Sequence, residues 1–189
     1  MNIIERAKRI ILSPKTEWLV IDSEQKNSTQ VLTTYLILLA IIPAVGNLIG
    51  YGLVGYRVID IHIGLMDMAV RQAVTSFVGI ILGAYLSAFI LTWLAPKFAS
   101  TESFDKAFQL VAYSYTPMCV AGILYIIPSL SGIAVIFGLY GLYILYLGIA
   151  PMMKTPEDKV TSYFLTSIVF VIIVSILISL LLGALFILF

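Results

Sequence analysis

Long apolar runs separated by short polar segments dominate the hydrophobic pattern of this chain. A membrane-spanning helix needs about 20 predominantly apolar residues, and five runs reach that length. They predict spans at about residues 31–55, 72–95, 108–127, 131–150 and 160–189. Since only helices and closed barrels satisfy their backbone polar groups in lipid, the pattern predicts an all-α polytopic membrane protein. Residues 29–189 form its five-span transmembrane domain.

The third and fourth spans lie in one uncharged stretch of 47 residues, Ala107–Met153. Pro128 follows Ile127 near its middle, and proline favours a turn there. The stretch therefore predicts a helical hairpin. A second proline, Pro43, lies inside the first span and predicts a kink.

Residues 1–28 form an amphipathic segment before the first span. Five apolar residues recur with helical spacing on one face: Ile3, Ile4, Ala7, Ile10 and Ile11. Ser13-Pro14 interrupts this helix and suits the start of a second one. Basic residues beside an apolar face, with Trp18 nearby, are typical of the membrane interface. The same face also suits packing on the protein's own spans, and the two arrangements are compatible.

The lysines and arginines predict the orientation in the membrane. Nine of them fall in the N-terminal segment and the loops after the second and fourth spans, whereas only Arg57 and Arg71 fall on the other side. The positive-inside rule then predicts a cytoplasmic N-terminus and a C-terminus outside.

The composition supports a membrane protein and excludes several soluble classes. The chain is 61% hydrophobic and 11% charged, with a mean hydropathy of +1.06. Soluble domains are about 25% charged. The net charge of +1 predicts no binding to nucleic acid. Cys119 is the single cysteine, which excludes an intramolecular disulfide, and its apolar surroundings favour a buried inert thiol.

The sequence shows no phosphate-binding loop, nucleophile elbow or paired metal-ligand motif, so we expect no enzyme activity, cofactor or metal. Asp60, His62 and Asp67 in the loop of residues 56–71 are the nearest approach to a metal site. A solvated interfacial loop accounts for them better. Charged residues inside spans mark ion and proton paths, and none lies clearly within a predicted span.

Tyrosines and prolines of the helical hairpin form the candidate functional seam. Its residues are Tyr113, Tyr115, Thr116, Pro117, Pro128, Tyr140, Tyr143 and Tyr146. Tyrosines at mid-span depth need hydroxyl partners, so we expect a hydrogen-bonded seam between the third and fourth spans. A polar ligand groove is the alternative. Pairs of glycines four residues apart predict close helix packing at Gly46, Gly50, Gly79 and Gly83.

Several short motifs occur in a distinctive order. They are Tyr113-Ser114-Tyr115-Thr116-Pro117, Ile127-Pro128, the Tyr140-x-x-Tyr143-x-x-Tyr146-x-Gly148 stretch and Thr155-Pro156. This order resembles the Ypt-interacting protein (YIP) family. The N-terminal Ser13-Pro14 and Trp18 are similar to its bacterial branch. That branch often has two glycines where this chain has Ala99-Ser100, so the resemblance does not extend to a tight loop there.

The resemblance implies a five-span protein of a prokaryotic cytoplasmic (inner) membrane and a family role in membrane organisation. Eukaryotic members bind Rab-type GTPases through a long N-terminal region, which is not expected here.

Three functions stay open at this stage. The first is a non-enzymatic adaptor or organiser that binds other membrane proteins or lipid. The second is a small permease, channel or lipid-translocating protein that uses the tyrosine seam, and the third is an intramembrane enzyme. The lipid bilayer is the expected partner, and the small-residue faces leave a homo-oligomer open.

Overall fold

The prediction of an all-α membrane fold is confirmed. The computed structural model describes the backbone of residues 2–58, 61–63 and 66–188, and their side chains except those of 56–58, 61–63, 135 and 178–188. Five helices are long and apolar enough to cross a membrane. Two shorter helices precede them: α1, Ile3–Leu12, and α2, Pro14–Ser23.

Span 1, Ser28–Val54, places π-helical turns at Leu32–Leu36 and Gly50–Val54 around the α-helix Ile37–Ile49. Span 2, Met66–Phe98, ends in the 3₁₀ turn Ala95–Phe98. Span 3, Phe104–Ile126, comprises Phe104–Ser114, Thr116–Ala121 and the 3₁₀ turn Gly122–Ile126. Span 4, Pro128–Met153, begins with the 3₁₀ turn Pro128–Leu130. Span 5 is the helix Glu157–Leu188.

The helices begin about one turn earlier than the apolar runs. Polar residues that cap or extend a helix belong to it without being apolar, so hydropathy alone misses them. Asn27 shows this at the start of span 1, because its side chain accepts a hydrogen bond from the amide of Gln30 at 2.8 Å. Gln30 in turn accepts one from the Asn27 amide, completing a capping box.

A short antiparallel hairpin connects spans 1 and 2. Its strands are β1, Tyr56–Val58, and β2, Ile61–Ile63, and Tyr56 lies opposite Ile63. The side chains of Asp60 and His62 lie outside the described residues. The metal site considered for this loop therefore stays untested.

Spans 1 and 3 cross very closely near this hairpin. A Cβ added at Gly122 would lie 2.5 Å from the Cβ of Pro43, which is too close for a real contact. Added Cβ atoms at Gly46 and Gly50 would collide with the carbonyl oxygens of Gly122 and Tyr125. Small residues thus let the two backbones touch.

Span 3 is the most enclosed of the five spans. In its most apolar segment 72% of the residues are buried, against 17–35% in the other spans. It therefore forms the centre of the bundle.

One end of the bundle is called here the N-proximal end. The α2 helix and spans 2 and 4 end there, and spans 3 and 5 begin there. Its loops are tight. Ala99 adopts the left-handed conformation with φ 52°, and the Thr101 amide donates to the Met153 carbonyl at 2.7 Å. The family resemblance did not predict a tight turn at Ala99-Ser100, yet the chain forms one without glycine.

Candidate functional site

The N-terminal helices α1 and α2 form a hairpin that is docked on the bundle. Trp18 is fully buried, and its indole N–H donates to the Ile144 carbonyl of span 4 at 3.1 Å. Its ring meets Tyr113 of span 3 edge to face, with centroids 6.3 Å apart. The Tyr140 hydroxyl donates to the Ile11 carbonyl at 2.6 Å. Of the two arrangements left open for this segment, packing on the spans is therefore present.

A charged cluster lies between the docked hairpin and the bundle. Arg6 is 3% exposed and forms ion pairs with Glu17 and Glu24. Its guanidinium lies over the Tyr113 ring, 5.7 Å from the centroid. Lys26 pairs with the second oxygen of Glu24 at 2.9 Å. A buried arginine needs such partners, because an uncompensated charge in this position is very unfavourable.

Asp22 fastens the end of α2 to two spans. Its carboxylate accepts from the Lys106 ammonium at 2.7 Å and from Lys154, and Lys106 also donates to its carbonyl at 2.8 Å. Burial raises the pKa of Asp22, but the hydrogen bonds and charges of the two lysines outweigh it and hold the pKa below the ordinary 3.8. The carboxylate is therefore charged at neutral pH.

The outward face of the hairpin is apolar and basic. Ile4, Leu12 and Leu19 are 73%, 68% and 64% exposed. Lys8 and Lys15 are exposed beside them. Arg6 and Glu17 are buried, so this hairpin has one ion pair inside, while its outer face carries the leucines beside the exposed Glu5–Arg9 pair.

The span 3 residues of the predicted seam contact several different helices. The hydroxyls of Thr116 and Tyr35 of span 1 are 2.8 Å apart, and the ring of Tyr113 packs on Tyr35 at 4.6 Å. The hydroxyl of Tyr115 is 3.5 Å from that of Ser87 in span 2. Pro117 is buried and starts the helical segment after the break at Tyr115.

The span 4 tyrosines point away from this group. Tyr140 bonds α1, and the Tyr146 hydroxyl lies 3.1 Å from that of Thr161 in span 5. Tyr143 is 49% exposed, and with Tyr140 it lines a pocket of about 350 Å³ beside the α1–α2 corner. Pro128 is buried in the 3₁₀ turn that begins span 4. The expected single seam between spans 3 and 4 is thus divided among span 1, span 2, span 5 and the hairpin.

The second glycine pair differs from the first. A Cβ at Gly83 would lie 3.4 Å from the Tyr115 hydroxyl, whereas one at Gly79 would meet no atom within 4 Å. Gly79 therefore does not pack on a helix. It lines a cavity instead.

This intramembrane cavity has a volume of about 500 Å³ and lies among all five spans. Its wall is mainly apolar, and it also carries the hydroxyls of Ser87, Tyr115 and Ser167. Ser167 is 2% exposed, and its hydroxyl oxygen has no hydrogen-bond partner among the described residues. Hydropathy gives no indication of such a cavity, since its wall has the composition of any lipid-facing helix.

No group of three or more His, Cys, Asp or Glu residues that could hold a metal occurs in the part of the chain that the structure describes. Cys119 is buried, as its apolar sequence context predicts. Sequence reasoning missed the buried pairing of Arg6 with Glu17. The two residues are eleven positions apart and lie on different helices, and no local spacing rule predicts such a contact.

Comparison with known proteins places the whole architecture in one family. A family model described as Yip1 domain matches residues 8–187. No curated protein and no solved structure gives a match. The matched region covers the second half of α1, α2 and the five spans. The chain is therefore a membrane protein of the Yip1 family.

Proposed function

We propose that this protein is a non-enzymatic membrane organiser that acts on lipid through its docked N-terminal hairpin. The observation that carries the proposal is that α1 and α2 expose large apolar residues while two of their charged residues are buried. A helix in water turns its charged residues outward. Here Arg6 and Glu17 are 3% exposed, whereas Leu12 and Leu19 are more than 60% exposed. Lipid is the surrounding that suits this outer face.

The contacts with span 4 indicate how far the hairpin reaches along the membrane. Asp22 bonds Lys154 at the N-proximal end, Trp18 bonds Ile144, and Ile11 bonds Tyr140. The last contact is 13 residues before Met153, or about 20 Å at 1.5 Å per residue. The hydrocarbon core is about 30 Å thick. With its headgroups, one leaflet is about 20–22 Å thick, so a hairpin whose end at Asp22 lies at the headgroup level occupies one leaflet and adds no area to the other.

An exposed base supplies the chemistry for a headgroup. Lys8 is exposed between Ile4 and Leu12 on α1, and its long side chain can reach from an apolar level toward the phosphates. Lys15 lies deeper, at the α1–α2 corner beside Tyr140. Each such base near an anionic surface contributes about 1 kcal/mol of attraction. The preferred lipid is therefore anionic, and it lies on the side of the membrane that holds the N-terminus. The positive-inside distribution supports the cytoplasmic side.

A depth measurement tests the lipid contact. Leu19→Cys in a Cys119→Ser background carries an environment-sensitive fluorophore, and the protein is reconstituted with lipids brominated at known depths. We expect a blue-shifted emission and strong quenching by bromine. Glu102→Cys, in the exposed loop after span 2, is the matched control, and its fluorophore should show the emission expected in water. Equal emission from both positions would show that the hairpin faces water.

Vesicle shape tests the organising role. Reconstitution into vesicles that contain phosphatidylglycerol should reduce their diameter in electron micrographs, because one leaflet is expanded. Lys8→Gln should abolish the dependence on phosphatidylglycerol but leave Trp18 docked. If vesicle size does not depend on the protein, the organising role is wrong. Solute or lipid flux that is lost in Tyr115→Phe would favour transport instead.

A further inference from the structure

We propose that the intramembrane cavity is a binding site for a single-chain lipid that carries a neutral hydroxyl or carbonyl group at its end. This site is separate from the lipid-facing surface of the N-terminal hairpin. The proposal rests on the length of the cavity, on its wall and on a cluster of hydroxyls inside it.

The shape of the cavity suits one hydrocarbon chain. Its lining on span 2 extends from Thr75 to Leu91, 16 residues or about 24 Å along the helix. One leaflet contributes about half of the 30 Å hydrocarbon core. A chain that fills the cavity therefore passes the midplane of the bilayer. The volume of about 500 Å³ falls within the range of about 300–1,000 Å³ of ligand pockets, which are likewise mainly apolar.

Two hydroxyls of the cavity wall are in contact, and helix geometry places a third at the same level. The hydroxyls of Ser87 and Tyr115 are 3.5 Å apart. The Tyr163 hydroxyl of span 5 donates to the Leu91 carbonyl of span 2 at 2.6 Å. Spans 2 and 5 run antiparallel. Ser167 lies one turn after Tyr163, and Ser87 lies one turn before Leu91, so Ser167 is placed at the level of Ser87.

The buried Ser167 hydroxyl indicates that a ligand atom binds at this level. Its oxygen is buried and has no partner in the described part of the chain, although a serine in a membrane helix normally bonds a carbonyl or a neighbouring helix. A ligand oxygen here would accept from Ser167 and complete the group formed with Tyr115. Glycerophospholipids keep their ester oxygens near the membrane surface. An end-group oxygen on a single chain can reach this depth.

The cavity is also accessible from the lipid. Thr75 and Gly79 are exposed at one end of the lining, and Leu142 on span 4 is 38% exposed. Gly79 and Gly138 each present open space where a Cβ would be. A chain can therefore enter sideways between spans 2 and 4.

The decisive test fills the cavity without disturbing the helices. Gly138→Leu inserts a side chain into the cavity, whereas Gly132→Leu on the same helix has equally open space but does not line it. Both variants gain the same helix propensity. Binding of radiolabelled geranylgeraniol and of oleyl alcohol to the purified full-length protein is measured in detergent, with phosphatidylcholine as a third probe.

We expect Gly138→Leu to weaken binding of the alcohol at least tenfold and Gly132→Leu to leave it unchanged. Tighter binding of geranylgeraniol would identify an isoprenoid chain, and tighter binding of oleyl alcohol an acyl-type chain. Either result supports the site. Equal binding by both glycine variants, or binding of phosphatidylcholine as tightly as the alcohols, would overturn the proposal.

The hydroxyl group is tested separately. Ser167→Ala should weaken alcohol binding about fivefold through the loss of one hydrogen bond, whereas Ser162→Ala, exposed on the same helix, should have no effect. Binding of a hydrocarbon without oxygen, such as squalene, should be equal in Ser167→Ala and the natural protein. A loss that is the same for alcohol and hydrocarbon would show a packing defect and contradict the assigned role of Ser167.

Discussion

Replacement of Trp18 by leucine should release the N-terminal hairpin from the bundle while the five spans stay assembled. Trp18 is fully buried, bonds the Ile144 carbonyl at 3.1 Å and packs on Tyr113. These contacts of α2 with the membrane bundle do not depend on charge. The hairpin is therefore the first part of the protein expected to open.

The magnitude follows from what the substitution removes. Truncation of a buried tryptophan to alanine costs about 3–5 kcal/mol, and leucine recovers part of the lost volume. The hydrogen bond contributes about 1 kcal/mol. A net loss of about 2–4 kcal/mol corresponds to a roughly 30- to 800-fold increase in the open population. Gly148 adds to this loss of stability, because the indole packs directly on its backbone: a Cβ there would lie 2.6 Å from the Trp18 ring.

Amide hydrogen exchange in lipid nanodiscs measures this opening. Exchange reports local opening free energies below the global stability. In Trp18→Leu, amides of α1 and α2 should exchange faster by the stated factor, with span 3 unchanged. Trp93→Leu is the control, because Trp93 is 50% exposed on span 2. Unchanged exchange in α1 and α2, or the same acceleration from Trp93→Leu, would refute the docking argument.

Three further substitutions test other parts of the fold by thermal unfolding or tryptophan fluorescence in detergent. Ala99→Gly should stabilise by about 1 kcal/mol, because Ala99 holds a left-handed conformation that glycine adopts without strain; a lower melting temperature would contradict this. Gly122→Ala should destabilise by about 1–3 kcal/mol through overpacking against Pro43, whereas Gly132→Ala should not. The folded-state pKa of Asp22 is lowered, so its contribution is present above pH 3.8 and lost as pH falls below it; Asp22→Asn should weaken docking at neutral pH and remove this acid step.

The spans could be predicted from the sequence because lipid imposes one simple requirement on them. Each must be apolar over about 20 residues and must satisfy its own backbone, so hydropathy alone finds it. The Ser13-Pro14 break between α1 and α2 could be predicted for a similar reason, since proline acts through its own backbone. In both cases the cause lies within the segment itself.

The tyrosine seam could not be assigned correctly from sequence because tyrosine partners are set by tertiary packing. The three-residue spacing places Tyr140 and Tyr143 on one face of span 4, and the need for hydroxyl partners predicts that they share a seam with Tyr115. In the structure the Tyr140 hydroxyl bonds α1, while Tyr115 faces span 2 and the cavity. Spacing gives the face of a helix but not the neighbour that covers that face.

The buried Arg6 has a different kind of role from Trp18. Breaking a buried ion pair is destabilising, but an intact pair often stabilises no more than apolar residues of the same size. Trp18 can therefore supply the docking energy, and Arg6 with Glu17 and Glu24 can select one arrangement of the two helices. If the hairpin slid or rotated on the bundle, a charge would lose its partner in an apolar interior. This penalty fixes which face of the hairpin packs on the bundle, so the leucines stay outward only while the ion pairs are formed. The charges that composition alone assigns to water thus determine how the hairpin is oriented on the bundle.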